Sequence, residues 1–379
     1  MKVCYVTHKS NLTGASQSLL DMLSGWTDYD LEPVVLMPTH GPLEEELLKL
    51  GIKTKIIRYT NSFEKFSDPF WRTPLRMAVN TLYGINMIKR FMMEEKIDIV
   101  HNNSFLTGIG MQAAYELSIP YICHLREFVE EDHEVVFINN DEQYNLLKNA
   151  YAAVAISNAI CKKYRQLAAD TNIITIYNSV NAERFYINHE TILSSNEVNL
   201  LLPGRITKTK RQIDAIKAIE ILNKKGFTNV RLTIIGKGDQ SNYEVTIRKY
   251  VEQNCVSNIT FLPFGDLKEL WRKSDIGLMC SSHEAMGRVT IESMLSGCLT
   301  IGANAGATPE LIEDGVTGYL YNVEDPNSLA ETIIKAILKK EDTRRIAKNA
   351  QKFAADNFGV KKYCEQIYEI YQRALRETK

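Results

Sequence analysis

The sequence predicts an α/β protein made of two doubly wound, Rossmann-like parallel-sheet domains facing a cleft. Three observations carry that expectation. At 379 residues the chain exceeds the roughly 250–300 residues at which single hydrophobic cores stop growing. Short β-rich runs alternate with segments of helical spacing, the signature of parallel strands joined by crossover helices. The alternation comes in two series, separated by a polar stretch over residues 186–197.

The first series of strands is expected at residues 2–6, 33–37, 97–101, 121–124, 152–156 and 173–177. Apolar residues at helical spacing predict helices over 17–23, 43–50 and 108–117 among them. The second series runs over 199–202, 230–235, 259–262, 276–279 and 299–301, with helices over 211–225 and 242–253. A last helix over 361–376 carries Tyr363, Ile367, Ile370 and Tyr371 on one face. These elements divide into a first domain (1–190), a second domain (191–355) and a C-terminal helix (356–379). Ligands of such sheets bind beyond the carboxyl ends of the strands.

Charge and cysteine usage exclude several classes of function. The chain has 45 Lys+Arg against 46 Asp+Glu, a net charge of −1, so it lacks the basic excess of a nucleic-acid binder. The balance hides two unlike parts: residues 1–190 carry 18 cations and 23 anions (−5), and residues 191–379 carry 27 and 23 (+4). A positive second half suits an anionic ligand. Seven cysteines with no Cys-x-x-Cys pair give neither a disulfide framework nor a zinc site. No metal site is expected. The N-terminal residues lack a signal peptide's apolar core and no stretch is long enough to span a bilayer, so a cytoplasmic location is expected.

Three segments could do chemistry. Ser281-Ser282-His283-Glu284-Ala285-Met286-Gly287-Arg288-Val289-Thr290-Ile291-Glu292 follows a buried strand and leads into an apolar helix. Glu284 in the loop and Glu292 in the helix present acceptor oxygens to sugar hydroxyls. Gly287 permits close backbone approach, and the helix N-terminus offers amides to an anion. Pro203-Gly204-Arg205-Ile206-Thr207-Lys208-Thr209-Lys210-Arg211 places a guanidinium and ammoniums where a diphosphate would sit. Gly236-Lys237-Gly238 is a third loop after a strand, short of a dinucleotide fingerprint. Each has an ordinary alternative as solvated surface.

In this order the segments resemble retaining glycosyltransferases of family 4, which have the GT-B fold. Matching elements include Gly204-Arg205 with Lys210, Gly236-Lys237-Gly238, the Glu284-x7-Glu292 pair, Gly306-Ala307-Thr308-Pro309-Glu310 and Gly315-Val316-Thr317-Gly318. The resemblance implies that Arg205 and Lys210 grip the donor diphosphate, that Glu292 accepts the ribose hydroxyls and that Glu284 faces the donor sugar. It further implies that Ala285, Met286, Gly287 and Arg288 line the sugar and phosphate pocket, and that the backbone from Leu262 to Phe264 reads the base. In the first domain it implies a sugar-facing His124 and a phosphate-facing loop at Gly14, with the last helix crossing back. The donor would be a UDP- or GDP-linked sugar, with no further cofactor, and the acceptor a glycan, lipid-linked or protein hydroxyl.

The sequence departs from the family at four places: Thr13 and Ala307 stand where glycines are usual, Arg211 where glycine follows the lysine, and Met286 where phenylalanine is common. Residues 58–90 carry six cations, two acids and interleaved aromatics, which suits docking on an anionic membrane surface. The acidic run 127–142 includes Glu127, close enough to His124 in sequence to face an acceptor. A sugar-nucleotide epimerase of the same fold and a non-catalytic two-lobed sugar-binding protein are the competing readings.

Overall fold

The computed structural model describes residues 1–65, 72–130, 135–188, 192–238 and 242–378. The chain divides into two compact units, Met1–Ser179 with Val360–Lys379, and Val180–Gly359.

In the first unit, β1 (Lys2–Val6), β2 (Glu32–Met37), β3 (Lys53–Ile56), β5 (Ile99–Asn102), β6 (Tyr121–Leu125), β8 (Ala152–Ala155) and β9 (Ile173–Thr175) form a seven-stranded sheet of order β3-β2-β1-β5-β6-β8-β9. Every pairing in it is parallel. Strands β5, β6 and β8 are buried along their whole length, which is why they read as continuous runs rather than alternating ones. A small antiparallel pair, β4 (Phe63–Lys65) with β7 (Val135–Phe137), is added outside this sheet.

The second unit carries β10 (Val198–Pro203), β11 (Val230–Ile235), β12 (Ile259–Leu262), β13 (Ile276–Met279), β14 (Leu299–Ala303) and β15 (Tyr319–Tyr321). They form a parallel sheet of order β12-β11-β10-β13-β14-β15. Both sheets reverse strand order beside their first strand, and the chain runs into its site loops from the carboxyl ends.

The boundary between units lies at 179/180 and 359/360, where the sequence placed it at 190/191 and 355/356. The segment after Ser179 is tied to the second unit by hydrogen bonds. Val180 N–H donates to the Phe358 carbonyl at 2.9 Å, Ser296 Oγ to Phe185 O at 3.0 Å and Gln351 Nε2 to Ile187 O at 2.7 Å.

The last helix, Val360–Glu377, belongs to the first unit. Tyr363, Cys364, Ile367, Ile370, Tyr371 and Ala374 are buried on it and join the core of β1, β2 and the helix Gly14–Ser24. Burial of an Ile side chain contributes about 1.5–3 kcal/mol, so this face anchors the helix. Among the described residues, no helix is long and apolar enough to cross a membrane.

Candidate functional site

The donor-half residues lie in loops at the carboxyl ends of β10, β11, β13 and β14, and backbone hydrogen bonds stitch these loops together. Gly204 N–H donates to Ile235 O at 2.9 Å, Gly236 N–H to Leu262 O at 2.9 Å and Ile206 N–H to Lys237 O at 3.3 Å. Ser282 N–H reaches back to Thr209 O at 3.0 Å. The loop bearing Lys210 and the loop bearing Glu284 are thus held in register before any side chain acts.

Within that frame Lys210 Nζ donates to Glu284 Oε2 at 2.6 Å. Glu284 is 8% exposed, so its carboxylate is largely withdrawn from water, while Lys210 is partly exposed. Its backbone is fixed from behind. Ala307 N–H donates to Glu284 O at 2.8 Å, and a Cβ on Gly306 would stand 2.6 Å from both the Glu284 nitrogen and oxygen. Gly306 is therefore the only residue type that lets this turn approach. The segment Gly306-Ala307 positions the carboxylate, a role its place in the motif did not reveal.

Gly287 adopts φ 93°, ψ 58° and starts the helix Arg288–Leu295 without a side-chain cap. This left-handed start is reserved for glycine, and an uncapped helix end carries first-turn amides suited to an anion. Ala285 and Arg288 are partly exposed beside it, while Met286 is buried. Glu292, also buried, lies one turn beyond Arg288, with Nη2 of Arg288 at 3.7 Å from its Oε1. Arg205 is exposed, and its carbonyl accepts from Gln212 Nε2 at 2.8 Å. Phe264 is 75% exposed, presenting a bare ring beyond β12 next to the partly buried Leu262.

The structure accounts for three of the four family departures. Thr13 has φ −125° and Ala307 φ −87°, so neither position demands glycine. Arg211 does occupy a left-handed conformation, φ 50°, which costs a non-glycine residue about 1–2 kcal/mol. Its guanidinium offsets that by gripping the buried Asp214 through Nε at 2.7 Å and Nη2 at 2.9 Å, with Nη1 on Glu324 at 2.8 Å. Arg211 therefore serves the loop rather than a ligand. Nothing in the structure explains Met286.

In the first unit, Gly14 opens the helix Gly14–Ser24 behind the extended Thr13, and the space where its Cβ would stand is empty. His124 is the residue that the resemblance sets against the donor sugar. It is fully buried, and both ring nitrogens are engaged. Tyr371 donates to the Tyr5 hydroxyl at 3.2 Å, so His101 Nδ1 is the donor to Tyr371 at 2.5 Å. His101 Nε2 then accepts from His124 Nδ1 at 2.6 Å, and His124 Nε2 accepts from Tyr363 at 3.2 Å. Burial pushes His101 down to about 3, helped by the Arg126 guanidinium. Burial, Arg126 and His101 hold His124 well below the ordinary histidine range. Both rings stay neutral and work as structural connectors between sheet and last helix. Tyr363 and Tyr371 were visible in the sequence only as apolar-face residues.

Of the other first-unit features, Glu127 accepts from Ser104 Oγ at 3.1 Å. In the basic stretch, Phe66, Phe70 and Trp71 lie outside the described residues. Lys89 and Arg90 pair with Glu116 and Glu94, while Leu75, Met77 and Tyr83 are exposed.

Residues 12–184 match the family described as Glycosyltransferase Family 4, and residues 187–353 match Glycosyl transferases group 1. N-acetyl-alpha-D-glucosaminyl L-malate synthase of Bacillus anthracis is 26% identical over 260 residues, 65% of this chain and 67% of that protein. The capsular polysaccharide biosynthesis glycosyltransferase CapH of Staphylococcus aureus is 22% identical over 359 residues, 90% of this chain and 92% of that protein. The crystal structure of Anabaena Alr3699/HepE in complex with UDP superposes with a TM-score of 0.82 at 22% identity, covering 98% of this chain and 100% of that one. The same protein is known in complex with UDP-glucose, with a TM-score of 0.81. With two family domains in tandem on two parallel sheets, the chain belongs to the group 1, family 4 glycosyltransferases of GT-B fold.

Proposed function

We propose that this enzyme is a retaining, metal-independent hexosyltransferase that uses a nucleoside-diphosphate sugar as donor and a hydroxyl of a growing polysaccharide as acceptor. The observation that carries this is the Lys210–Glu284 pair at the rim of the second sheet. It puts a phosphate-binding cation and a hydroxyl-binding carboxylate in contact, as a glycosyl diphosphate requires at its adjacent diphosphate and sugar. UDP and UDP-glucose bound by Anabaena HepE support a UDP-linked donor over a GDP-linked one. The capsular relative supports a polysaccharide acceptor.

In this reading the bond between the anomeric carbon and the diphosphate oxygen breaks, its electron pair staying on the diphosphate. Arg205, Lys210 and the amides at Gly287–Arg288 offset that charge, as oxyanion-hole donors do elsewhere. The acceptor hydroxyl attacks the same face and its proton passes to the departing phosphate oxygen. Glu284 orients the sugar hydroxyls, and Glu292 accepts from the ribose. No protein side chain needs to form a bond.

Calorimetry with UDP and GDP, followed by NMR of the anomeric configuration of the product, tests this. Glu292→Ala should weaken UDP by roughly tenfold or more, the worth of a hydrogen bond to a charged group. It should leave 2′,3′-dideoxy-UDP unchanged. No binding of either nucleotide would overturn the reading, and conversion of the sugar nucleotide to its epimer without acceptor would replace it.

The exposed Leu75, Met77 and Tyr83 beside the cations of residues 58–90 favour attachment at the cytoplasmic face of a membrane. Cosedimentation with anionic but not neutral vesicles is the expected result, and no cosedimentation with either removes the membrane from the proposal.

A further inference from the structure

A pocket of about 600 Å³, counting its open mouth, lies wholly within the first unit. Its walls come from the loop at Asn61 and Ser62, the π-helical turn Asn80–Gly84, and the helices Ile109–Glu116 and Asn140–Lys148. None of these residues belongs to the donor reading above.

The frame is fixed by its own hydrogen bonds. Asn80 clasps residue 60 from both sides, accepting from Thr60 N–H at 2.8 Å and donating to Thr60 O at 3.1 Å. The π turn that delivers Asn80 is a rare local geometry that recurs at functional sites. Gly108 N–H donates to Ser62 Oγ at 2.7 Å, and the buried Gln143 Nε2 donates to Phe105 O at 2.7 Å. These partners hold the walls and leave other polar atoms of the lining spare. Asn61 Oδ1 is buried and accepts no hydrogen bond among the described residues, a state that normally calls for a partner. Gln112 and Glu142 each use only part of their capacity, Gln112 through Nε2 on Glu116 and Glu142 through Oε2 and its own N–H on Asn139.

The chemistry of the lining is selective. Among the described residues it contains five carboxamides, one hydroxyl, one carboxylate and no Lys, Arg or His. A phosphate or carboxylate ligand would meet no cation among these residues and one repelling charge. A polyhydroxylated ring needs groups that both donate and accept, which carboxamides supply, and a carboxylate accepts from two hydroxyls. Ile109, Ile138 and Leu146 in the same wall offer an apolar surface for the C–H face of a pyranose.

We infer that this pocket holds one uncharged sugar unit of the acceptor glycan. The inference rests on the transferase reading only in naming that sugar as part of the acceptor. It is tested with the full chain by saturation-transfer NMR, using methyl glycosides of glucose, galactose, mannose and N-acetylglucosamine, methyl glucuronide, and UDP as separate probes. At least one neutral glycoside should receive saturation, and methyl glucuronide should receive none. The variant Asn61→Ala/Gln112→Ala/Glu142→Gln removes spare groups but none of the frame bonds of Asn80, Ser62 or Gln143. It should weaken the glycoside about tenfold or more and keep the UDP signal, which doubles as the check that it folds. No response from any neutral glycoside, or an equal response in the variant, overturns the inference. Glycoside binding that is lost in the variant, together with a silent UDP probe, sustains the pocket and overturns the transferase reading instead.

Discussion

Lys210 Nζ and Glu284 Oε2 stand 2.6 Å apart, so the two groups proposed to hold opposite ends of the donor's glycosidic linkage pair with each other. In that reading the lysine takes the phosphate and the carboxylate a sugar hydroxyl. Lys210→Ala should lower turnover by about 10²–10³-fold, as for a lost oxyanion donor. Glu284→Gln should reduce turnover while UDP affinity stays near wild type, since UDP has no sugar for Glu284 to hold. Steady-state kinetics paired with UDP calorimetry checks both, and turnover like wild type in Lys210→Ala would refute the diphosphate role.

Arg211 pairs a strained backbone with a bidentate grip on Asp214. Substituting glycine relieves the left-handed strain but leaves the Asp214 carboxylate, whose residue is 1% exposed, without its partner. The penalty for stranding a buried charged group, several kcal/mol, exceeds the roughly 1–2 kcal/mol of strain. Arg211→Gly should therefore lower the melting temperature, and Arg211→Gly/Asp214→Asn should recover much of it. Thermal unfolding followed by circular dichroism reads the difference.

Gly306 offers a test of positioning separate from contact. A methyl group there would press on the Glu284 backbone at 2.6 Å, at a φ of 58°, at a cost of roughly 1–3 kcal/mol in a held left-handed position. Gly306→Ala should depress kcat while UDP affinity falls less than about threefold. Equal losses in both would mean that the whole donor loop had moved rather than the carboxylate alone.

The histidine pair makes stability depend on pH. Folded His101 and His124 stay neutral far below the unfolded pKa near 6.5, so the unfolded chain binds more protons as acidity rises. Stability is complete above about pH 6.5 and falls as the pH drops towards 3, by up to about 1.4 kcal/mol per unit for each histidine. Urea unfolding at pH 7 and pH 5 should show that loss. His101→Asn/His124→Asn should flatten the difference between the two pH values, and an undiminished slope would place its origin in other groups.

Much of this was legible in the sequence because buried parallel strands are uniformly apolar. The runs ending at Val6, Ile235 and Met279 could hardly be anything else. β3 escaped notice because its Lys53-Thr54-Lys55-Ile56 sits half-exposed at a sheet edge, and β4, β7 and β15 are only three residues long. The motif from Glu284 to Glu292 announced its loop and helix, yet the support of Glu284 by Gly306 depends on a turn from the next strand. His124 shows the limit more sharply. Its surroundings are completed by Tyr363, 239 residues further along, and no local spacing encodes that partner.

The membership of Val360–Lys379 in the first unit also bears on how the protein can be made. During synthesis the first 179 residues leave the ribosome long before Tyr363 and Tyr371 exist, so the half that starts first is the one that finishes last. His101 and His124 must wait, wet and free to take up protons, until the final helix arrives to cover them. A nascent chain stalled before residue 360 should therefore carry a closed second unit beside an unfinished first one.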